Sequence, residues 1–400
     1  MRPMGWLRVW YLILSLTFLA GIFFGLFWLS AFSLSIGALL LTAHLWRNGS
    51  LVKVEYHRRW RFHRGFPGEK IEVQIVIKNR KILPLSWLRA TDPWPLAVGP
   101  EDQGILAPYF ISDTGLLVNL CSLRWHDAIS RSYLLELRQR GIFAIGPVTL
   151  SAGDPFGFFE QSIEQTNQQY LTVFPEILPL VSLQLQAEDP FGDRRSRRRL
   201  FEDPNQPMGI RDYLPGDAFR RIHWAATART GNLQVKVYQP VSSRVMLVCM
   251  NVTTTSQPWL GSNTQVLEQL VKVSASLIYH SAQDGYAVGL ISNGCLAHAD
   301  RPFSILPGRS TEQLALLLQT LAAVTPFTTA PFESFLVKTM GAIPFGAVLV
   351  IVTAIVNPLL VQTLLRIRQY RTHTTLISLE TTPPPDLPGI RTIHLPLQSQ

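Results

Sequence analysis

Cysteine is scarce in this chain. Its 400 residues contain only Cys121, Cys249 and Cys295, far apart and odd in number. That set makes neither a disulfide framework nor a metal-ligand spacing, and it fits a reducing compartment. Cys249, inside the apolar run VMLVCM, reads as a small core residue. Catalytic motifs are also missing: there is no HExxH, no GxSxG, and no Gly-rich phosphate loop behind any apolar strand. Metalloprotease, α/β-hydrolase and nucleotide-binding readings therefore have no local support. The histidines are scattered, with His57 and His63 in a basic segment, His126 beside Asp127, and His280 and His298 far downstream. The His126–Asp127 pair reads as loop chemistry, and His223 would need a substrate and a carboxylate partner to act as a base. An uncharacterised hydrolase stands only as an alternative in which separate segments converge.

Acidic residues are in deficit, 27 against 36 basic ones, for a formal charge of +9. The excess is local, at Arg194–Arg199 and Arg220–Arg229, and points to acidic surroundings.

Charge is absent altogether from Val9 to Leu45, where neither Lys, Arg, Asp nor Glu occurs. As one helix this stretch would be about 55 Å long, too long for a hydrocarbon core of about 30 Å. Two helices with a turn near Ser30–Ser35 fit better. Arg2 and Arg8 precede the run; Arg47, Lys53, Arg58, Arg59, Arg61 and Arg64 follow it. Cations at both ends imply a hairpin with both termini in the cytoplasm. A signal peptide would have a shorter apolar core and a small-residue cleavage site.

The rhythm then changes to period two. In IEVQIVIKN, Ile71, Val73, Ile75 and Ile77 share one face, and ISRSYLLELRQ places Ile129, Tyr133, Leu135 and Leu137 likewise. Pro/Gly-rich turns punctuate the region, which predicts an antiparallel β domain, a sandwich, over 49–185. The segment GDRRSRRRLFEDPNQPMG, 192–209, has five arginines and little apolar content. It reads as a solvated linker. The alternative is binding of anionic lipid, or of nucleic acid, for which no stacking platform adjoins it. From 244 onward strands and helices alternate: RVMLVCMNV, NTQVLEQLVKVSASLIYHSA, YAVGLIS, STEQLALLLQTLAAV, FGAVLVIVT, NPLLVQTLLRIRQY, THTTLISLE. This predicts a doubly wound, mostly parallel α/β domain over 244–400, with ligand positions at the carboxyl ends of the strands.

Between these regions lies LPGDAFRRIHWAATARTG, Leu214–Gly231. Pro215-Gly216 suits a type II turn, Asp217 an N-cap, and Gly231 a helix stop. One helix from Ala218 would put Arg220, Trp224 and Thr227 on one face, with Phe219, Ile222 and Ala226 on the apolar side. LQVKVYQ follows as an edge-type strand.

The run GIRDYLPGDAFRRIHWAATARTGNLQVKVYQP resembles the signature of the bacterial domain of unknown function 58 family. Arg211, Tyr213, Pro215, Gly216, Asp217, Arg221, Ile222, Trp224, Ala228, Arg229, Thr230 and Gly231 carry the match. RQRGIFAIGPVTLSAGDPFGFFE, YLTVFPEILPL, NRKILPLSWLRATD and the N-terminal hairpin also look like family features, so the resemblance spans nearly the whole chain. It implies a membrane-anchored bacterial protein with a β domain and a von Willebrand factor A-like domain. Joined to the residue reading above, this gives a multi-pass plasma-membrane protein with cytoplasmic soluble domains: hairpin 1–48, β domain 49–185, linker and signature 186–243, and the A-like domain 244–400. It also implies association with a MoxR-type AAA+ ATPase. Membrane lipid and other envelope proteins are further expected partners, and nucleic acid is disfavoured. The expected role is interaction or scaffolding rather than catalysis, with no catalytic residue and no cofactor. Arg211, Tyr213, Asp217, Arg220, Arg221, Trp224 and Arg229 are the candidate partner or interdomain residues, the competing role for Tyr213, Asp217, Ile222 and Trp224 being to lock the signature onto a sheet. A-type domains can hold a divalent cation through Asp-x-Ser-x-Ser, a Thr and a second Asp. Here the corresponding positions are Asn251, Thr253, Thr255, Thr311 and Ala354, with both carboxylates missing, and hard cations generally need one or two carboxylates. No metal is expected.

Overall fold

A computed structural model describes residues 5–183, 202–215, 217–240, 245–255, 261–297, 299, 301–328, 330–342, 347–368 and 374–396. The chain divides into two compact units at Val173/Phe174, earlier than the expected boundary at 185. The difference has a packing reason. In the second unit the Leu178 amide donates to Ser276 Oγ at 2.7 Å, His280 bonds the Leu178 carbonyl, and Leu183 is fully buried in the core.

The first unit begins with α1 (Gly5–Phe23) and α2 (Phe27–Ser50). Their turn lies at Phe24–Leu26, with Gly25 at φ +70°, rather than near Ser30–Ser35 as expected. Ser30, Ser33 and Ser35 stay helical because their hydroxyls have local partners. Ser30 and Ser35 donate back to carbonyls of the preceding turn, and Ser33 meets Thr17 Oγ1 at 2.9 Å across the helix pair. Gly21 allows the close approach: a Cβ there would lie 2.9 Å from the Ser30 nitrogen. Among the described residues α2 is the one helix long and apolar enough to cross a membrane; Val9–Phe23 is a shorter apolar stretch.

The strands of this unit are β1 (Val54–Trp60), β2 (Arg64–Gly65), β3 (Lys70–Asn79), β4 (Leu85–Pro95), β5 (Leu106–Pro108), β6 (Thr114–Leu123), β7 (Ala128–Glu136), β8 (Gly141–Ile145), β9 (Val148–Gly153), β10 (Glu160–Gln165) and β11 (Gln169–Val173). They form sheets β1-β3-β7, β10-β9-β4-β6-β5 and β2-β11-β8, antiparallel except where β2 meets β11. Period-two burial selects the inward residues, as expected. Ile71, Val73, Ile75 and Ile77 of β3 enter one core with Leu88, Trp94, Leu117 and Leu135. That core also encloses an ion pair. Arg58 donates from Nε and Nη2 to the two Asp92 oxygens at 2.7 and 2.6 Å, and Tyr56 adds a hydroxyl at 2.8 Å. Arg58, counted above among the cations flanking the membrane run, is therefore an interior residue, fully enclosed.

The second unit contains β12 (Glu202–Asp212), α3 (Trp224–Thr230), β13 (Gln234–Pro240), β14 (Val245–Met250), α4 (Thr264–Gln283), β15 (Ala287–Ser292), β16 (Gly294–Leu296), β17 (Phe303–Gly308), α5 (Thr311–Ala323), β18 (Val324–Thr328), α6 (Phe332–Thr339), β19 (Val348–Thr353), α7 (Pro358–Arg368), β20 (Thr374–Ser378) and β21 (Arg391–His394). Its main sheet has the order β17-β15-β14-β19-β20-β21, parallel except for β17. β14 is buried at every position, which is why it carries no polar alternation. Met246, Val248 and Met250 face α4 and α5; Leu247 and Cys249 face α6 and α7. The order reverses between β14 and β19, where an open α/β sheet offers its crevice. β12 and β13 form a separate antiparallel pair. Residues 202–209, expected to be linker, thus belong to a strand whose bulges fall around Pro207.

Candidate docking site

The signature is built on the β12–β13 pair. Asp212 pairs with Gln234 and Arg211 with Val235 in register, and the Tyr213 amide donates to the Leu233 carbonyl at 2.9 Å. The chain then turns, and Asp217 holds the turn. Its Oδ2 accepts from the Leu214 amide at 2.9 Å, and its amide donates back to the Leu214 carbonyl at 3.0 Å. Arg211 clamps the same carboxylate with both terminal nitrogens, at 2.8 and 2.7 Å. Those hydrogen bonds, Arg211 first and Leu214 second, hold the Asp217 carboxyl down at about 2. Asp217 is therefore not the N-cap of a helix, as the sequence suggested, but the lock of a turn. Gly216, the other half of the expected type II turn, lies outside the described residues.

Nor is there one helix from Ala218. A short 3₁₀ turn, Phe219–Arg221, ends at Ile222, which is buried and bridges to Val235. His223 donates its amide to the Gln234 carbonyl at 2.8 Å. Its Nδ1 then accepts from the Ala226 amide at 3.1 Å and caps α3. Thr227 Oγ1 accepts the Gln234 amide, and Gly231 ends the helix at φ +72°, as expected. Ile222, Ala226, His223 and Thr227 thus fasten the element to β13.

The other side chains point away. Phe219 is 74 % exposed, Trp224 68 % and Leu214 59 %, and the Tyr213 and Phe219 rings stack at 6.3 Å. The alternative in which Trp224 locks the signature onto a sheet is set aside by that exposure; Ile222 does that work. Arg220 and Arg229 are exposed and make no ion pair among the described residues, while Arg211 is committed to Asp217 and Arg221 is half-buried. The element therefore presents two arginines and large apolar rings from a backbone fixed at both ends.

The carboxyl end of the main sheet carries the second set of expected positions. Asn251 follows β14 and donates from Nδ2 to Thr353 Oγ1 at 3.1 Å, and its Oδ1 takes the Thr253 amide. Asn293, after β15, accepts the Val252 amide at 2.9 Å and donates to Thr253 Oγ1. Thr353 Oγ1 also bonds Ile355, and Thr255 Oγ1 donates to the Gly261 carbonyl. Ala354 is buried beside them. Thr311 is elsewhere. β17, at the edge of the sheet, runs antiparallel to β15 with Gly308 opposite Val288, so α5 starts at the amino end of strands about 17 Å long. The segment brought to the carboxyl end is instead the one after β18, where the Ala330 carbonyl lies 3.5 Å from Asn293 Nδ2. Neutral oxygens already engaged with amides and hydroxyls do not fit a hard divalent cation. Asn293 and Thr353 escaped the sequence reading; two polar residues closing the apolar runs YAVGLIS and FGAVLVIVT were the available signal.

Cys249 is fully buried and its thiol is pushed up by burial, as is that of the half-buried Cys121, which makes both poor nucleophiles. Asp127 is spent on its own loop, accepting the Arg124 and Ala128 amides. Arg194, Arg195, Arg197, Arg198, Arg199 and His298 lie outside the described residues.

Residues 209–396 match the family described as Protein of unknown function DUF58. The match opens two residues before Arg211 and takes in the whole signature and the main sheet. Uncharacterized protein YeaD of Bacillus subtilis is 22 % identical over 228 residues, 57 % of this chain and 52 % of that protein. The chain thus spans about half the length of that relative. Among solved structures, the CARDB domain of a Pyrococcus furiosus protein aligns at 9 % identity over 30 % of this chain and 91 % of that one, with a TM-score of 0.20. Spo0M, a sporulation control protein of Bacillus subtilis, aligns at 12 % identity over 41 % and 58 %, also at 0.20. At that level of likeness the architecture rests on the strand order and burial described above.

Proposed function

We propose that this chain is a membrane-anchored interaction protein. In this reading α1 and α2 form a hairpin in the bacterial plasma membrane, the soluble units are cytoplasmic, the first is a β-sandwich and the second is of the von Willebrand factor A-like type. Its order β17-β15-β14-β19-β20-β21 with a reversed edge supports the last point. The signature docks an acidic surface of a partner, for which a MoxR-type AAA+ ATPase is the expected class. The observation that carries this is the pairing of exposed Phe219 and Trp224 with exposed Arg220 and Arg229 on an element whose backbone is locked by Asp217 and Ile222. Tryptophan and arginine are the residues that dominate binding energies, and a preformed element loses little entropy on docking. Binding is favoured over catalysis because His223 and His280 are engaged in backbone contacts and burial suppresses the Cys249 thiol.

The test is affinity capture of the full-length protein from gently solubilised membranes, comparing wild type with Arg220→Glu/Arg229→Glu. Charge reversal should abolish capture of an AAA+ ATPase at unchanged membrane level. Equal capture by both proteins, or none by wild type, would overturn the reading.

A further inference from the structure

One end of the first unit gathers three loops around the exit of α2. β1 starts there at Val54, which pairs with Asn79 at the end of β3. The β3–β4 loop (Arg80–Pro84) and the β6–β7 loop (Arg124–Asp127) meet at this end: His126 donates its amide to the Lys81 carbonyl, and Asn79 Nδ2 bridges the carbonyls of Leu83 and Arg124. Lys81 Nζ reaches over to the carbonyls of Ser50 and Val52, closing the C-terminus of α2. The β9–β10 loop, Asp154–Phe159, also reaches α2, where the Phe159 ring stands edge-on to His44 at 5.9 Å. Buried Asp154 stiffens that loop by accepting the amides of Phe156, Phe158 and Phe159.

Each loop carries a large apolar side chain that stays more than half exposed: Ile82 at 75 %, Trp125 at 68 %, and the mutually stacked Phe156 and Phe158 at 57 % and 55 %. Cations stand beside them at the same end, Arg124 exposed and Arg80 exposed but paired with Glu55 at 2.9 Å.

Resting on the membrane-anchored reading, we propose that these loops insert into the headgroup–acyl boundary of the bilayer that α2 crosses, seating the first unit on an anionic membrane surface. Helix length makes the case. A core of about 30 Å needs about 20 helical residues. Phe27–Thr42 would supply about 24 Å, so the hydrocarbon edge falls beyond Thr42, close to Arg47, the first charge in α2. Ala43 is already buried, α2 packs on β9 and β10, and His44 already touches the β9–β10 loop. The loop tips therefore stand at the depth where aromatic rings and cations favour a bilayer interface.

The test uses the full-length chain in vesicles of phosphatidylcholine and phosphatidylglycerol, with Cys121→Ser removing the half-buried thiol. An environment-sensitive fluorophore is placed at Phe156→Cys, Ile82→Cys or Phe110→Cys. Phe110 is 83 % exposed and follows β5, whose Pro108 pairs with Gly115 at the opposite end of β6 from Leu123. Labels at 156 and 82 should shift to the blue, be quenched by nitroxide lipid labelled high on the acyl chain, and resist aqueous iodide several-fold better than the label at 110. Alkaline carbonate extraction of the same vesicles separates the two possible failures. A chain released by carbonate is not membrane-spanning, which overturns the anchored reading and this proposal with it. A chain retained in the vesicles whose three labels are equally open to iodide overturns the proposal alone.

Discussion

Asp92→Asn would strip the fully enclosed Arg58 guanidinium of its counter-charge while leaving it buried. Breaking a buried pair in this way costs about 3–5 kcal/mol, and the expected readout is a lower denaturant midpoint for the first unit with an unchanged slope. Nothing local betrays this pair. Arg58 sits in the run Lys53–Arg64, where it looks like one more membrane-flanking cation, and its partner is 34 residues away. Asp217 was legible only in part: its place at a turn was visible, its function was not, because Arg211 takes up the carboxylate that the pattern assigned to a helix cap. Its carboxyl is held at about 2 against an ordinary 3.8. The folded form thus takes up its proton later than the unfolded one. The clamp's contribution is complete above about pH 4 and is lost as pH falls through about 2. In Arg211→Ala the Asp217 carboxyl should titrate back towards 3.8, which a carbon-13 NMR titration of the side-chain carboxyl would read; an unchanged titration would remove Arg211 as the cause.

At the scale of elements, the strands and long helices follow from period and caps. β3, α4, α5 and α7 lie where apolar spacing places them, with Asn263, Ser310 and Asn357 accepting the amides of the first turns. The signature does not follow. Local propensity continues the helix through Ile222, but the bridge to Val235 pulls that residue into the sheet and restarts the helix at Trp224. Ile222 and Trp224 should therefore separate in mutants. Ile222→Ala removes a buried side chain, at a cost of about 2–5 kcal/mol, and should loosen the element, seen as faster amide exchange at Ala226 and Gln234. Trp224→Ala removes an exposed ring and should stay within about 0.5 kcal/mol of wild type. A large stability loss for Trp224→Ala would return Trp224 to a structural role.

For the whole molecule, the change from period-two to strand–helix alternation marks two units, but the sequence puts the boundary late. Glu176 and Leu178 look like the tail of a β domain, yet they bond to Lys272 and Ser276 of α4, contacts about a hundred residues apart that no local pattern encodes. The carboxyl-end cluster was legible in its missing carboxylates. It was misread at Thr311, because an apolar run does not reveal that β17 is reversed. The central claim is that the signature's exposed face meets a partner at the membrane, and site-specific photo-crosslinking from position 224 in intact cells tests it most directly. The expected result is one discrete adduct with an AAA+ ATPase that disappears when Arg220 and Arg229 are reversed to Glu. Absence of any adduct beyond that given by a crosslinker at exposed Leu306 would contradict it.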